Sequence, residues 1–289
     1  MKIDRWSLGC QTLWAVSILA LVALAGCGDD STTTPPDEVA APSGVAAVNG
    51  DETVTFTWTA SPDADRVDFL RYTIYKAEQS LAGIDPAQLA TYKVANVGAG
   101  FTTYSVAVTN GVRYYFHVRA ELNDGTLSVA SNEVQAAGRD EGNDSIIEEF
   151  AAPGNSGFDF STGLSVSLSQ QNANRFDLTD VYLGTAHLDD LAEFALNLKS
   201  PNRLANRDAT WATKIAGIKE IASWETTTTT DSGWQEAIEI PAQAGTVYAI
   251  KTPAGNYAKI EVVSIDGEPG SRTLTFRYAH QPTVGLALF

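Results

Sequence analysis

The feature that most constrains the fold is a short strand pattern that recurs along the chain. Residues Thr53–Thr59 read Thr-Val-Thr-Phe-Thr-Trp-Thr, so β-branched and large apolar side chains alternate. Because successive side chains of a strand point to opposite faces, this alternation is typical of a half-buried strand. Phe69–Lys76 and Arg113–Glu121 have related patterns, and Asn-Gly and Asn-Asp-Gly turns at 110–111 and 123–125 flank the latter. Short strands with regular turns and no long helix predict an antiparallel sandwich.

Residues 42–137 combine several features of one such sandwich. Asn110–Ala120 carries a tyrosine near the start of a strand, and Ser131–Val134 is suited to a short last strand. The combination resembles a fibronectin type III domain, which implies a β-sandwich used as a spacer or adhesion module. In this resemblance Trp58, Tyr72 and Ile74 take core positions, and Tyr114 takes the position of the tyrosine corner. Leu81–Leu89 is longer than the usual connection, and Asp85-Pro86 predicts a surface loop or one helical turn there.

From residue 148 onward the pattern is again β-like but less regular. Residues 189–198 fit a helix at their start and a strand at their end, and the isoleucines of 215–221 have the spacing of a short helix. The apolar tail 283–289 either adds a strand or frays. Strands are predicted within 157–163, 164–168, 176–183, 247–252, 257–263 and 272–279. The fold class predicted for the whole chain is therefore all-β, with one or two short helices in the C-terminal domain.

Five short pieces of this second domain follow one another in a recognisable order. They are Gly157–Gly163, Asp177–Tyr182, Gly245–Thr252, Gly255–Val262 and Thr275–Gln281. Together they resemble the HmuY-like lipoproteins of Gram-negative bacteria. The best-known members of that group bind haem and pass its iron to a receptor. The resemblance therefore implies a β-rich, ligand-binding domain at 148–289.

The first 27 residues have the three parts of a secretory signal. A short basic start precedes a nearly uninterrupted apolar run at 13–24, which is too short to cross a ~30 Å hydrocarbon core as a helix. The sequence Leu24-Ala25-Gly26-Cys27 at its foot resembles a bacterial lipobox, which implies that Cys27 is lipidated and becomes the first residue of the mature protein. A glycine rather than an aspartate at position 28 favours an outer-membrane location for the lipoprotein. Residues 28–41 are predicted to be a disordered linker, and residues 138–147 are predicted to be a hinge.

Composition narrows the partners and the chemistry. The formal net charge of −16 argues against nucleic acid and against anionic lipid headgroups. The two cysteines, Cys10 and Cys27, leave with the signal or carry lipid, so burial rather than disulfides must hold the domains together. The chain has no HExxH, CxxC, Gly-x-Ser-x-Gly or calcium-loop motif. We therefore predict no enzymatic activity, no catalytic residues and no metal site.

Haem is the one cofactor that the resemblance suggests, and it needs axial donors. His187 and His280 in the second domain are the candidate ligands, with Tyr182 or Tyr278 as substitutes. The third histidine, His117, has the outward parity of its strand, so we expect it to be exposed on the sandwich surface.

Aromatic side chains suggest a different ligand. Trp224 and Trp234 are candidates for stacking on sugar rings, although Trp211, Trp224 and Trp234 are also suited to core or interface packing. The sequence therefore predicts a non-enzymatic, lipid-anchored binding protein of the cell envelope in a Gram-negative bacterium, whose ligand or surface partner is bound by the C-terminal domain. A haem carrier for iron acquisition and a polysaccharide-binding accessory protein are the two alternatives.

Overall fold

A computed structural model describes residues 38–150, 154–185, 195–226, 228–229, 232–234 and 239–289. The fold is all-β, and every strand pair is antiparallel. Among these residues no helix is both long enough and apolar enough to cross a membrane.

The first seven strands form a sandwich of two sheets. The strands are β1 (Ser43–Gly50), β2 (Thr53–Thr59), β3 (Phe69–Ala77), β4 (Lys93–Gly98), β5 (Thr103–Ala107), β6 (Arg113–Leu122) and β7 (Val134–Ala137). They are ordered β1-β2-β5 in one sheet and β4-β3-β6-β7 in the other. The inward residues of β2 and β6 meet in the core, where the rings of Phe56 and Phe116 lie 4.5 Å apart. The antiparallel β-sandwich predicted for residues 42–137 is confirmed.

The long connection after β3 changes the environment of a neighbouring strand. It contains the helix α1 (Pro86–Leu89), capped by the Asp85 carboxylate, followed by a 3₁₀ turn at Ala90–Tyr92. Leu89 and Tyr75 form a small apolar cluster on the outer face of the sheet. His117 contacts the Tyr75 ring and is only 2% exposed, so the expectation of an exposed histidine was wrong. Burial, with a smaller contribution from Arg119, lowers the pKa of His117 to about 4.

The last residues of the predicted linker 28–41 are packed on the sandwich. Val39 is buried in its core, and the backbone N–H of Ala40 donates to Asp63 at 2.7 Å. Only residues 38–41 of that linker are described, and for them the prediction of disorder was wrong. An apolar side chain next to the first strand is enough to hold them.

The C-terminal domain is a second two-sheet structure. Its strands are β8 (Asp140–Glu148), β9 (Gly157–Asp159), β10 (Leu164–Val166), β11 (Val181–Thr185), β12 (Leu196–Lys199), β13 (Gly217–Ile221), β14 (Glu239–Pro241), β15 (Val247–Lys251), β16 (Tyr257–Asp266) and β17 (Thr273–Gln281). Short 3₁₀ helices occupy Pro201–Leu204 and Ala209–Thr213. The sheet orders are β10-β9-β11-β12-β14 and β13-β15-β16-β17-β8. Side chains of both sheets, such as Phe158 and Phe276, form the core between them.

Four predictions for this domain differ from the structure. The strand predicted at 176–183 begins only at Val181, and residues 173–177 form turns. The predicted hinge 138–147 lies mostly in β8, which pairs with β17. The predicted helix at 215–221 is β13, because its residues pair with β15 from Gly217 to Ile221. The tail neither adds a strand nor frays: Leu286, Leu288 and Phe289 are buried, and the side-chain amide of Gln281 donates to the Leu288 carbonyl at 2.8 Å.

The two domains join through only two residues between β7 and β8. The N–H of Arg139 donates to the Gly50 carbonyl at 3.1 Å, and the N–H of Gly111 donates to the Gly138 carbonyl at 3.0 Å. A Cβ at Gly138 would lie 2.5 Å from the Asn110 side-chain oxygen, so only glycine fits there. The junction is therefore tightly packed.

Candidate functional site

Of the two predicted haem ligands, the structure describes only His280. His187 lies outside the described residues. His280, at the end of β17, is 3% exposed, its Nδ1 is 3.3 Å from a carboxylate oxygen of Asp140, and its ring is stacked on Phe160. Burial lowers the pKa of His280, against the hydrogen bond to Asp140. The two tyrosines considered as substitutes are both buried in apolar clusters: Tyr182 and Tyr278. Haem binding stays a prediction.

The two candidate tryptophans lie in different surroundings. The Trp224 ring is flanked by three cations, with Arg277 at 4.1 Å, Lys259 at 4.6 Å and Arg139 at 5.4 Å from its centroid. Trp224 thus packs against three long side chains of the same domain. Trp234 instead lines a cavity of about 230 Å³. Its ring packs directly over Gly217, where a Cβ would come within 3.1 Å of the indole.

Another cavity lies on the outer face of the sheet that contains β11 and β12. It measures about 480 Å³ and is lined by Phe150, Gly154, Asn155, Ser156, Ser167, Leu168 and Ser169. A smaller cavity of about 120 Å³ is lined by Phe150, Leu168, Gln170, Arg175, Leu204, Arg207, Asp208 and Trp211. Both cavities share Phe150 and Leu168, so they are adjacent, and we call the two together the Phe150 groove.

Backbone pairing fixes the wide end of the groove. Phe150 directly follows the buried Glu149, and its N–H donates to the Leu183 carbonyl of β11 at 3.0 Å. Its Cβ passes over Gly184, 3.6 Å from where a Cβ would be, so the strand provides the space for the ring. The N–H of Leu183 in turn donates to the Ser156 carbonyl at 2.9 Å. The aromatic ring and the Ser156 wall are therefore held by the same strand.

Packed aromatic rings and arginines form the narrow end. Trp211 lies in the 3₁₀ helix that Asp208 caps, and its ring packs on Phe176 with centroids 4.5 Å apart. Arg175 lies 4.1 Å from the Phe176 centroid and 3.4 Å from the Asp208 carboxylate. The guanidinium of Arg207 lies 4.8 Å from the Phe150 centroid. Half-buried rings thus meet charged groups at this end.

A carboxylate with an altered pKa lies outside the groove. Burial, and to a smaller degree Asp159, raises the pKa of Asp180 to about 7, although Asp180 accepts a hydrogen bond from the Phe160 N–H at 2.9 Å. Asp159 accepts from Ser161 and Thr162 of the following turn. Both carboxylates therefore organise the turn after β9. In the part of the chain that is described, no group of three or more His, Cys, Asp or Glu residues could hold a metal ion.

Sequence reasoning missed the groove. Its lining comes from four separated segments, and none of them contains a motif. The one signal was Trp211, which was noted among the aromatic residues and is buried at the narrow end. Chemically, the groove offers aromatic and aliphatic surface beside hydroxyl and amide groups, which is a lining suited to binding a polar organic ligand.

No protein-family model matches the chain, and no curated protein matches it. Among solved structures, a DUF4466 family protein from Parabacteroides merdae is similar at 9% identity over 82% of this chain and 95% of that one, with a TM-score of 0.31. The chicken CNTN1 FN1-FN3 domains match at 12% identity over 76% and 61%, with a TM-score of 0.26. A β-1,2-glucanase from Parabacteroides distasonis matches at 22% identity with a TM-score of 0.27, over 35% of this chain but 13% of its own length.

Such low TM-scores carry no argument about function. The chain also spans only 13% to 28% of the first four matched structures. The fold and the groove by themselves define a protein with two successive β-sandwiches, the second of which bears a surface groove.

Proposed function

We propose that this protein is a non-enzymatic binding protein of the cell envelope and that its C-terminal domain holds a saccharide in the Phe150 groove. The observation that carries the proposal is the groove itself, in which a half-buried phenyl ring lies beside serine and asparagine side chains. Sugar rings have faces rich in C–H groups and edges rich in hydroxyls, so they suit a lining with both kinds of surface. This favours the polysaccharide-binding alternative over the haem carrier, which would need an axial donor.

The remaining parts of the chain fit a tethered binder. Lipidation of Cys27 would anchor the protein to a bilayer, in the outer membrane of a Gram-negative bacterium, since acyl chains together hold a protein stably. The fibronectin type III sandwich would act as a spacer. We further propose that 148–289 is related to the HmuY-like lipoproteins, with a surface groove in place of a haem site.

Removing the Phe150 ring should weaken saccharide binding. We expect the full-length protein in detergent to be retarded in native gels that contain a bound polysaccharide, and we expect Phe150→Ala to raise the dissociation constant about tenfold or more, as loss of a central aromatic anchor does. Phe101→Ala is the matched control, because Phe101 is 65% exposed on the other domain. A panel of neutral and acidic polysaccharides that retards neither protein would contradict the proposal.

Lipidation is tested separately. Cells grown with labelled palmitate should give a labelled band for the wild-type protein and for Cys10→Ala, and an unlabelled band for Cys27→Ala. Label that persists in Cys27→Ala would rule out this anchor.

A further inference from the structure

We propose that the Phe150 groove selects a saccharide that carries negative charge and that Arg207 is the group that binds the charge. This inference rests on the saccharide-binding function proposed above and names the class of sugar.

Arg207 is an exposed arginine, and none of the described residues accepts a hydrogen bond from its guanidinium. Its guanidinium lies 4.8 Å from the centroid of Phe150, the ring shared by both parts of the groove. No hydrogen bond or ion pair joins it to another of the residues that the structure describes. A guanidinium resting on a ring has its planar fork oriented in advance, and that fork matches the two oxygens of a carboxylate.

The neighbouring charges are already engaged with one another. Arg175 donates to the carbonyl of Asn172 at 3.1 Å and approaches Asp208 at 3.4 Å. Asp208 also accepts from the N–H of Thr210 at 3.0 Å. Arg203, one turn away, is paired with Glu239 at 2.7 Å. Arg207 is thus the cation of this end that can meet a ligand without giving up a protein partner.

The opposite end of the groove has uncharged polar walls. Asn155, Ser156, Ser167 and Ser169 line it. A ligand would therefore place its carboxylate beside Arg207 and its hydroxyls toward these amide and hydroxyl groups. The overall charge of −16 repels polyanions, so any preference for an acidic sugar must arise from a local group of this kind.

The test compares one polymer with and without its charge. Dissociation constants of the full-length protein in detergent are measured by titration calorimetry with oligogalacturonate and with its methyl ester, which has the same rings but no carboxylate. We expect the wild type to bind the acid at least about fivefold more tightly, and Arg207→Gln to weaken binding of the acid about tenfold while changing that of the ester less than about twofold. Arg113→Gln is the matched control, since Arg113 is exposed on β6 and its loss changes the net charge equally. Arg207→Lys, which keeps the charge without the fork, should lie between the wild type and Arg207→Gln.

Two results would overturn the inference, and they are distinguishable. If acid and ester bind equally and Arg207→Gln behaves as Arg113→Gln does, the groove binds sugar but does not select charge. If the wild type binds neither probe and no polysaccharide of the wider panel, the proposed function fails and this inference fails with it.

Discussion

Replacing Glu149 by alanine should lower the free energy of unfolding by about 3–5 kcal/mol, the cost typical of breaking a buried ion pair from one side. Glu149 is fully buried directly after β8. Its carboxylate accepts from the Gly270 N–H at 2.8 Å and from Nε and Nη2 of Arg272 at 3.0 Å and 2.9 Å. It therefore ties the first strand of the domain to the turn before the last one. Urea unfolding followed by tryptophan fluorescence measures the loss.

Two controls define the Glu149 result. Glu78→Ala removes an exposed carboxylate from the sandwich and should change the unfolding free energy by less than about 0.5 kcal/mol. Burial raises the pKa of Glu149, but the hydrogen bonds from Arg272 and Gly270 outweigh it and hold that pKa below its ordinary value. Because the folded-state pKa is depressed, the difference between wild type and Glu149→Ala should be complete at neutral pH and should shrink as the pH falls below about 4.5. Equal losses in Glu149→Ala and Glu78→Ala would contradict the assignment.

The N-terminal sandwich was predictable because its signals are local. Apolar and polar side chains alternate over the full length of Thr53–Thr59. The Asn110-Gly111 turn directly precedes a second strand with an alternating pattern, so each strand could be placed from its own residues. The error at His117 has a non-local cause. Its outward parity was right, but residues that lie 25 or more positions earlier in the chain fold over that face and bury the ring.

The second domain was less predictable because its short strands depend on their partners. The isoleucines of 215–221 have a spacing that fits a helix, yet β15 offers an unpaired edge and Ile218 pairs with Ile250 in register. The predictions at 247–252 and 257–263 were confirmed, because a five-residue connection that contains Gly255 joins two alternating stretches. Tertiary pairing thus decides where the local pattern is ambiguous.

The candidate site could not be found from the sequence for a related reason. Phe150 becomes a groove residue only because β11 carries Gly184 beneath it, and Arg207 becomes an anion-binding candidate only because it rests on that ring. Neither pairing has a sequence signature, since the partners lie tens of residues apart. The sequence makes Trp224 and Trp234 candidates for sugar binding because of their large aromatic rings, but cationic side chains of the same domain pack around Trp224.

One of the three cations around Trp224 is a fully buried lysine. Lys259 on β16 is 0% exposed, and its ammonium donates to the carbonyl of Thr226 at 2.9 Å and to that of Trp224. Arg139 and Arg277 are close enough to add repulsion. Burial, followed by the charge of Arg139, lowers the pKa of Lys259 to about 7. The folded protein is therefore expected to release the Lys259 proton at a lower pH than the unfolded chain, which keeps the lysine charged up to its ordinary pKa.

Wild-type stability should consequently rise with pH where the native state has lost this proton and the unfolded state still binds it. Between pH 7 and 9.5 we expect a gain of about 2–3 kcal/mol in the free energy of unfolding, with a limiting slope of about 1.4 kcal/mol per pH unit. Lys259→Met should remove the rise and should be at least as stable as the wild type at pH 6.5, because it no longer buries a charge. Lys251→Met, which alters a half-buried lysine of the adjacent strand, should keep the wild-type slope. Urea unfolding at four pH values between 6.5 and 9.5 measures the free energy of unfolding of all three proteins. If this free energy rises with pH as steeply in Lys259→Met as in the wild type, Lys259 remains charged in the folded protein.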